Sequence, residues 1–94
     1  MLDPVIHQAT RLQILALLLR NREMSFAELC RVLDLTEGNL GAHAERLAEA
    51  GYVAAFHALA GLRFEKRYRL THAGEAAFRA YREELVRLLG LGEA

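Results

Sequence analysis

The sequence predicts a mainly α domain carrying one small β-hairpin. Three observations lead there. Leu and Ala supply 34 of the 94 residues, and both are strong or good helix formers. Apolar residues recur three and four apart over most of the chain, the mark of helices with one buried face. Only between Tyr52 and Leu70 does the pattern change to alternation, on either side of a Gly-containing turn, as in a hairpin.

The first helix is expected at residues 4–21. Asp3-Pro4 offers a capping acid followed by proline at the first helical position. Val5, Ile6, Ala9, Leu12, Ile14, Leu15, Leu18 and Leu19 then follow at helical spacing. That stripe is too wide for one contact, so it is read as facing the core on one side and another subunit on the other. Asn21-Arg22-Glu23 breaks the pattern, and Met24 is expected to make a one-residue bridge to a later strand. Ser25-Phe26-Ala27-Glu28 has capping-box spacing. It opens a short helix at 26–33 that buries Phe26, Leu29, Cys30 and Leu33. Asp34-Leu35 is a tight connection. Thr36 caps a third helix at 37–50, with Leu40, Ala44, Leu47 and Ala48 inward and Gly51 as a left-handed stop.

The hairpin follows. Residues 52–57 read as a strand with Tyr52, Ala54 and Phe56 on one face and Val53 and Ala55 on the other. Ala60-Gly61-Leu62 is the turn region. Residues 65–70 return, Tyr68 and Leu70 alternating with Arg67 and Arg69. Thr71 caps a long last helix at 72–90, whose apolar stripe is Ala77, Phe78, Tyr81, Leu85, Leu88 and Leu89, and Gly90 ends it. The order is thus helix, short bridge strand, helix, helix, hairpin, long C-terminal helix. Two helices joined by a short turn make a helix-turn-helix. The hairpin behind the second of them makes it winged. All of residues 1–94 are read as one such domain.

Length and composition limit the function. A chain of 94 residues makes one modest core and leaves little room for a catalytic cleft. No Ser/His/Asp set, phosphate loop or paired-carboxylate pocket can be argued, so an enzyme is not expected. Cys30 is the single cysteine, and His7, His57 and His72 read as surface or cap residues. No metal site and no cofactor are therefore expected. The longest uninterrupted apolar run is Ile14–Leu19, far short of a bilayer span. The start, MLDPVIHQATR, lacks the basic-then-apolar order of a signal peptide. A cytoplasmic protein with no membrane partner is the expectation. Arg outnumbers Lys eleven to one, which fits a thermophile or a GC-rich genome.

Charge is balanced overall, 12 basic against 12 acidic residues, but unevenly placed. Residues 1–22 sum to +2, residues 23–50 to −4, residues 51–71 to +3 and residues 72–94 to −1. The basic segment is the hairpin, and the acidic one contains the third helix. If Leu40, Ala44 and Leu47 face inward, Asn39, Ala42, His43 and Arg46 point outward. Asn can pair with adenine and Arg with guanine. Gly38 and Gly41 would permit close backbone approach, while Thr36 and the first amides of the helix could hold a phosphate. On the hairpin, Arg63, Lys66 and Arg67 are candidates for phosphates or the minor groove. Glu45 and Glu49 fall on the flank and rear of the third helix. The expected partner is double-stranded DNA. The other reading is a protein–protein contact module with weak or no DNA binding, which Glu45 and the odd aromatic Phe64 favour.

Several segments together resemble the small winged-helix transcriptional regulators of the MarR/ArsR kind. They are His7–Leu15, Met24–Leu29, Leu35–Leu40, His43, Leu47, Glu49–Val53, Tyr68–Thr71 and Gly74, in that order. The likeness covers about residues 3–90. It implies a DNA-binding homodimer, the third helix in a major groove and the wing on backbone or minor groove. It also implies dimerisation through the first and last helices, for which Val5, Ile6, Phe78, Tyr81, Leu85, Leu88 and Leu89 are the candidates. A repressor is the expected role, and no small-molecule effector can be read from the residues. Gly41, Ala44 and Glu45 depart from the usual residues of such proteins. So does the wing Gly61-Leu62-Arg63-Phe64-Glu65-Lys66-Arg67, which has no proline and an apolar tip.

Overall fold

The computed structural model describes residues 1–92. Seven elements follow in order: α1 (Ala9–Asn21), β1 (Glu23–Ser25), α2 (Phe26–Leu33), α3 (Glu37–Glu49), β2 (Val53–Ala60), β3 (Arg63–Leu70) and α4 (His72–Leu89). This is the expected winged helix-turn-helix. Local capping explains most of the boundaries. Ser25 Oγ accepts from Glu28 N at 3.0 Å while Glu28 Oε1 accepts from Ser25 N at 2.8 Å, closing the capping box that starts α2. Thr36 Oγ1 accepts from Asn39 N at 3.1 Å and starts α3. Thr71 Oγ1 accepts from Gly74 N at 2.9 Å and starts α4.

The first helix departs from expectation. Asp3-Pro4 does not open it; residues 4–6 form a separate turn and α1 begins at Ala9. Gln8 is the cap, its Oε1 accepting from Arg11 N at 2.8 Å. Asp3 still caps locally, its Oδ1 accepting from Val5 N at 2.8 Å. The break at residues 7–8 separates that turn from the helix. It lets Ile6 turn fully inward, and the Arg11 guanidinium holds the preceding turn by donating to the carbonyls of Val5 and Pro4.

The sheet is antiparallel, in the order β1-β3-β2. The expected single bridge at Met24 is a three-residue strand, with Met24 opposite Tyr68 and Ser25 opposite Arg67. The wing is longer than the sequence suggested. Its strands run to Ala60 and from Arg63, leaving only Gly61-Leu62 as the loop. Gly61 sits at φ +66° while Leu62 does not enter the positive region. This is the arrangement a tight two-residue hairpin turn needs, and it matches the twist of the strands.

The core gathers Ile6, Ile14, Leu15, Leu18, Leu29, Leu40 and Leu47, all essentially inaccessible, with Met24, Ala44, Val53, Tyr68 and Tyr81 around them. Where α4 leaves the sheet, Gly74 lies directly against the Tyr52 carbonyl. A Cβ there would fall 2.0 Å from that oxygen, so only glycine permits this approach. Ile6 and Tyr81, both expected at a subunit interface, are core residues instead, at 0% and 5% exposure. Tyr81 is further tied down by its hydroxyl, 2.9 Å from His7 Nδ1. Val5, Phe78 and Leu85 are half-buried against the same core. Of the expected interface residues only Leu88 and Leu89 are well exposed, at 68% and 59%.

Candidate nucleic-acid interface

The exposed side of α3 presents Thr36, Gly38, Asn39, Ala42 and Arg46 to solvent, because Leu40, Ala44 and Leu47 occupy the opposite, fully buried side. Thr36 is exposed even though its oxygen accepts the Asn39 amide, so its hydroxyl proton is still available to an incoming oxygen. The start of a helix is a common setting for a phosphate.

His43 is placed differently from its neighbours. It is half-buried, and its Nδ1 accepts from Arg11 Nη1 at 3.2 Å. A guanidinium can only donate, so Nδ1 carries the lone pair and the proton sits on Nε2. Burial, and then the Arg11 charge, hold the imidazole below its ordinary titration range. His43 is thus a neutral ring fastened to α1, able to offer one N–H outward, rather than a free surface residue. Arg11, which no local pattern had singled out, fixes α3 against the N-terminal turn.

Gly41, Glu45 and Ala48 form the side of α3 that looks toward the wing. Together with Ala55, Lys66 and Tyr68 they line one groove. Glu45 therefore points at the basic hairpin and away from the Asn39–Arg46 face. Lys66 lies over the Tyr68 ring, its ammonium 5.5 Å from the ring centre. The acid that seemed misplaced on a DNA-shaped helix shares its groove with a lysine.

The basic residues of the wing are not equivalent. Arg63 and Lys66 are exposed and make no ion pair among the described residues. Arg69 is exposed beside Phe56, its guanidinium 5.8 Å from the ring centre. Arg67, expected to reach phosphate, is mostly covered. Its Nε lies 3.0 Å from Glu23 Oε1, its Nη1 bonds Glu65 and stands 3.8 Å from Glu28 Oε1. The bond to Glu65 first, then Glu23, hold its pKa up against some desolvation. Arg67 is spent on fastening β3 to β1 and α2. Glu23 and Glu28 were not singled out for this, yet a signal existed. Once Ser25 pairs with Arg67, acids two residues before and three after Ser25 are brought near the guanidinium.

Among the described residues no cluster of His, Cys, Asp or Glu could hold a metal ion. No described helix is long and apolar enough to cross a membrane.

A helix-turn-helix backed by a two-stranded wing, with α3 and the wing opening onto one groove, defines a winged helix domain. The chain belongs to the winged helix DNA-binding domain family, whose sequence model matches residues 10–89. It is 32% identical over 84 residues to an uncharacterized protein of Methanocaldococcus jannaschii, covering 89% of this chain and 91% of that one. Its structure is similar to that of a transcriptional regulator homologue from Pyrococcus horikoshii OT3. That match has TM-score 0.77 and 31% identity, over 93% of this chain and 89% of the other. The transcriptional regulator HlyU from Vibrio vulnificus CMCP6 is similar at TM-score 0.65 and 28% identity, over 84% and 78% of the two chains. Both solved structures are described as a transcriptional regulator or the homologue of one, in keeping with the MarR/ArsR-like resemblance.

Proposed function

We propose that the protein is a cytoplasmic, DNA-binding transcriptional repressor that acts as a homodimer. The observation that carries this is an exposed Asn39, Ala42 and Arg46 side of α3 together with a wing whose exposed Arg63 and Lys66 make no ion pair among the described residues. The adjoining Gly41 and Glu45 side of α3 shares a groove with Lys66. In this reading Asn39 and Arg46 read base edges, with His43 Nε2–H as a third donor. Thr36 and the Gly38 region of α3 take a phosphate, and Arg63 and Lys66 hold the backbone. Arg67 serves indirectly, by holding the wing at its angle. The regulator relatives support the role. Leu88 and Leu89, with Leu19 at 44% and Leu91 at 57% exposure, leave apolar surface at α1 and the end of α4, which supports pairing of two chains there.

Titration of a random-sequence duplex against salt tests the reading. Two subunits, each contributing Arg63 and Lys66, give a log–log slope of about −3.6 or steeper. Absence of salt-dependent binding would favour the protein-contact module instead. Sedimentation at micromolar concentration is expected to show twice the 10.5 kDa chain mass; a clean single-chain species would remove the homodimer.

A further inference from the structure

The wing ends in an apolar tip that the DNA-backbone role leaves unused. Leu62 is fully exposed at 102%, Phe64 is 70% exposed and Leu59 is 65% exposed. Leu59 and Phe64 are direct cross-strand partners on one face of the hairpin. The two-residue turn places Leu62 at the very end of the ribbon. An unpaired apolar tip on a hairpin is an aggregation hazard unless something covers it.

The charges around the tip decide what that is. Arg63 separates Leu62 from Phe64 in the chain and is exposed. His57 and Lys66 pair with each other on the same face as Leu59 and Phe64, two residues further in. Of the two acids near these cations, Glu65 is bonded to Arg67 and Glu45 lies back in the groove it shares with Lys66. An apolar point flanked by the exposed cations Arg63 and Lys66 suits a polyanion with an apolar interior better than another protein surface. Duplex DNA is that ligand. The minor groove is about 6 Å wide, and paired strands stand about 4.8 Å apart before side chains are counted. The ribbon itself cannot go deep, but a single side chain at its end can.

We propose that Leu62, backed by Phe64, is a wedge that enters the minor groove between two base pairs and kinks the duplex. This rests on the DNA-binding reading and adds a mode of recognition to it. Arg63 and Lys66 anchor the flanking phosphates while Leu62 opens the step. A wedge reads deformability rather than base edges, so it favours easily unstacked TA and CA/TG steps. The wedge would add selectivity to what Asn39, His43 and Arg46 read from base edges.

Ring closure tests this without knowledge of the binding site. A duplex of about 120 base pairs, shorter than the persistence length of about 150, closes poorly unless it is bent. Wild-type protein is expected to raise circle yield on the order of tenfold. Leu62→Gln and Phe64→Gln are expected to return it toward that of DNA alone, while still binding linear duplex with the wild-type salt slope. Leu62→Met, which keeps an apolar point, is expected to retain bending. Both positions are exposed, so the fold survives, and far-UV circular dichroism checks it. Duplex binding by wild type with unchanged ring closure overturns the wedge and leaves the DNA-binding reading standing. Equal bending by Leu62→Gln overturns it too. So does loss of self-association in Leu62→Gln, which would assign the tip to a second copy. If wild type binds no duplex at all, the functional reading itself has failed and the wedge falls with it.

Discussion

Arg67 and Arg63 lie four residues apart on one strand in opposite surroundings, Arg67 among carboxylates and Arg63 exposed. Consider Arg67→Ala. It removes a guanidinium that is 21% exposed and leaves three carboxylates, Glu23, Glu28 and Glu65, facing one another. A hydrogen bond to a charged group is worth about 1.5–3 kcal/mol when well shielded. These carboxylates are 37–44% exposed, so water screens each bond to about 1 kcal/mol or less. Two such bonds and the residual repulsion give a loss of about 1–2 kcal/mol. For a domain of this size that lowers Tm by about 5–15 °C. The salt slope of DNA binding is expected to stay as in wild type, because Arg67 has no free charge to give to a phosphate. Arg63→Ala is expected to do the reverse. Its Tm holds, and the slope flattens by about 0.9 per subunit. Thermal melting followed by circular dichroism, and fluorescence anisotropy across a salt series, read both quantities. An Arg67→Ala protein with wild-type Tm and a slope as flat as that of Arg63→Ala would refute the cage and return Arg67 to the DNA.

Other consequences are equally direct. Glu45→Gln removes a negative charge from the groove between α3 and the wing. At about 9 Å from a phosphate in water this is worth about 0.5 kcal/mol before screening, or about twofold per subunit at low salt, fading as the Debye length contracts. Unchanged affinity at low salt in a folded Glu45→Gln protein would place that groove away from DNA. Gly74→Ala drives a methyl into the Tyr52 carbonyl, 2.0 Å away, and forces α4 off the sheet at a cost of about 3 kcal/mol; a wild-type melting curve would contradict the close approach. His43 has its folded-state pKa below the ordinary 6.5. The unfolded chain therefore takes up this proton first as pH falls. The His43 contribution is complete above about pH 6.5 and is lost as pH drops through the folded value. Urea denaturation between pH 7 and pH 5 is expected to show this decline, and His43→Gln to flatten it; equal slopes in the two proteins would exclude His43 as the source.

The sequence by itself determined α2, α3, α4 and the existence of the wing. Their signals are local: Ser25 with Glu28, Thr36 with Asn39 and Thr71 with Gly74 are each three residues apart, and a buried helix face repeats every three or four. A helix start of that kind carries its own hydrogen-bond partner, so it needs no knowledge of the rest of the chain. The outward side of α3 followed from the same periodicity. The start of α1 is local as well, Gln8 capping the amide of Arg11 three residues on, but the capping pair Asp3-Pro4 competes with it in the sequence. Only the tertiary structure decided the burial of Ile6 and Tyr81, the cover over Arg67 and the hold on His43. The last three involve partners far off in the chain: 74 residues for His7 and Tyr81, 44 for Glu23 and Arg67, 32 for Arg11 and His43. Composition and spacing place an arginine on a strand face. Whether its charge is free or spent is set by what the strand register brings opposite it, because the Coulomb and hydrogen-bond energies that commit a guanidinium act over a few ångströms of space and are blind to separation along the chain.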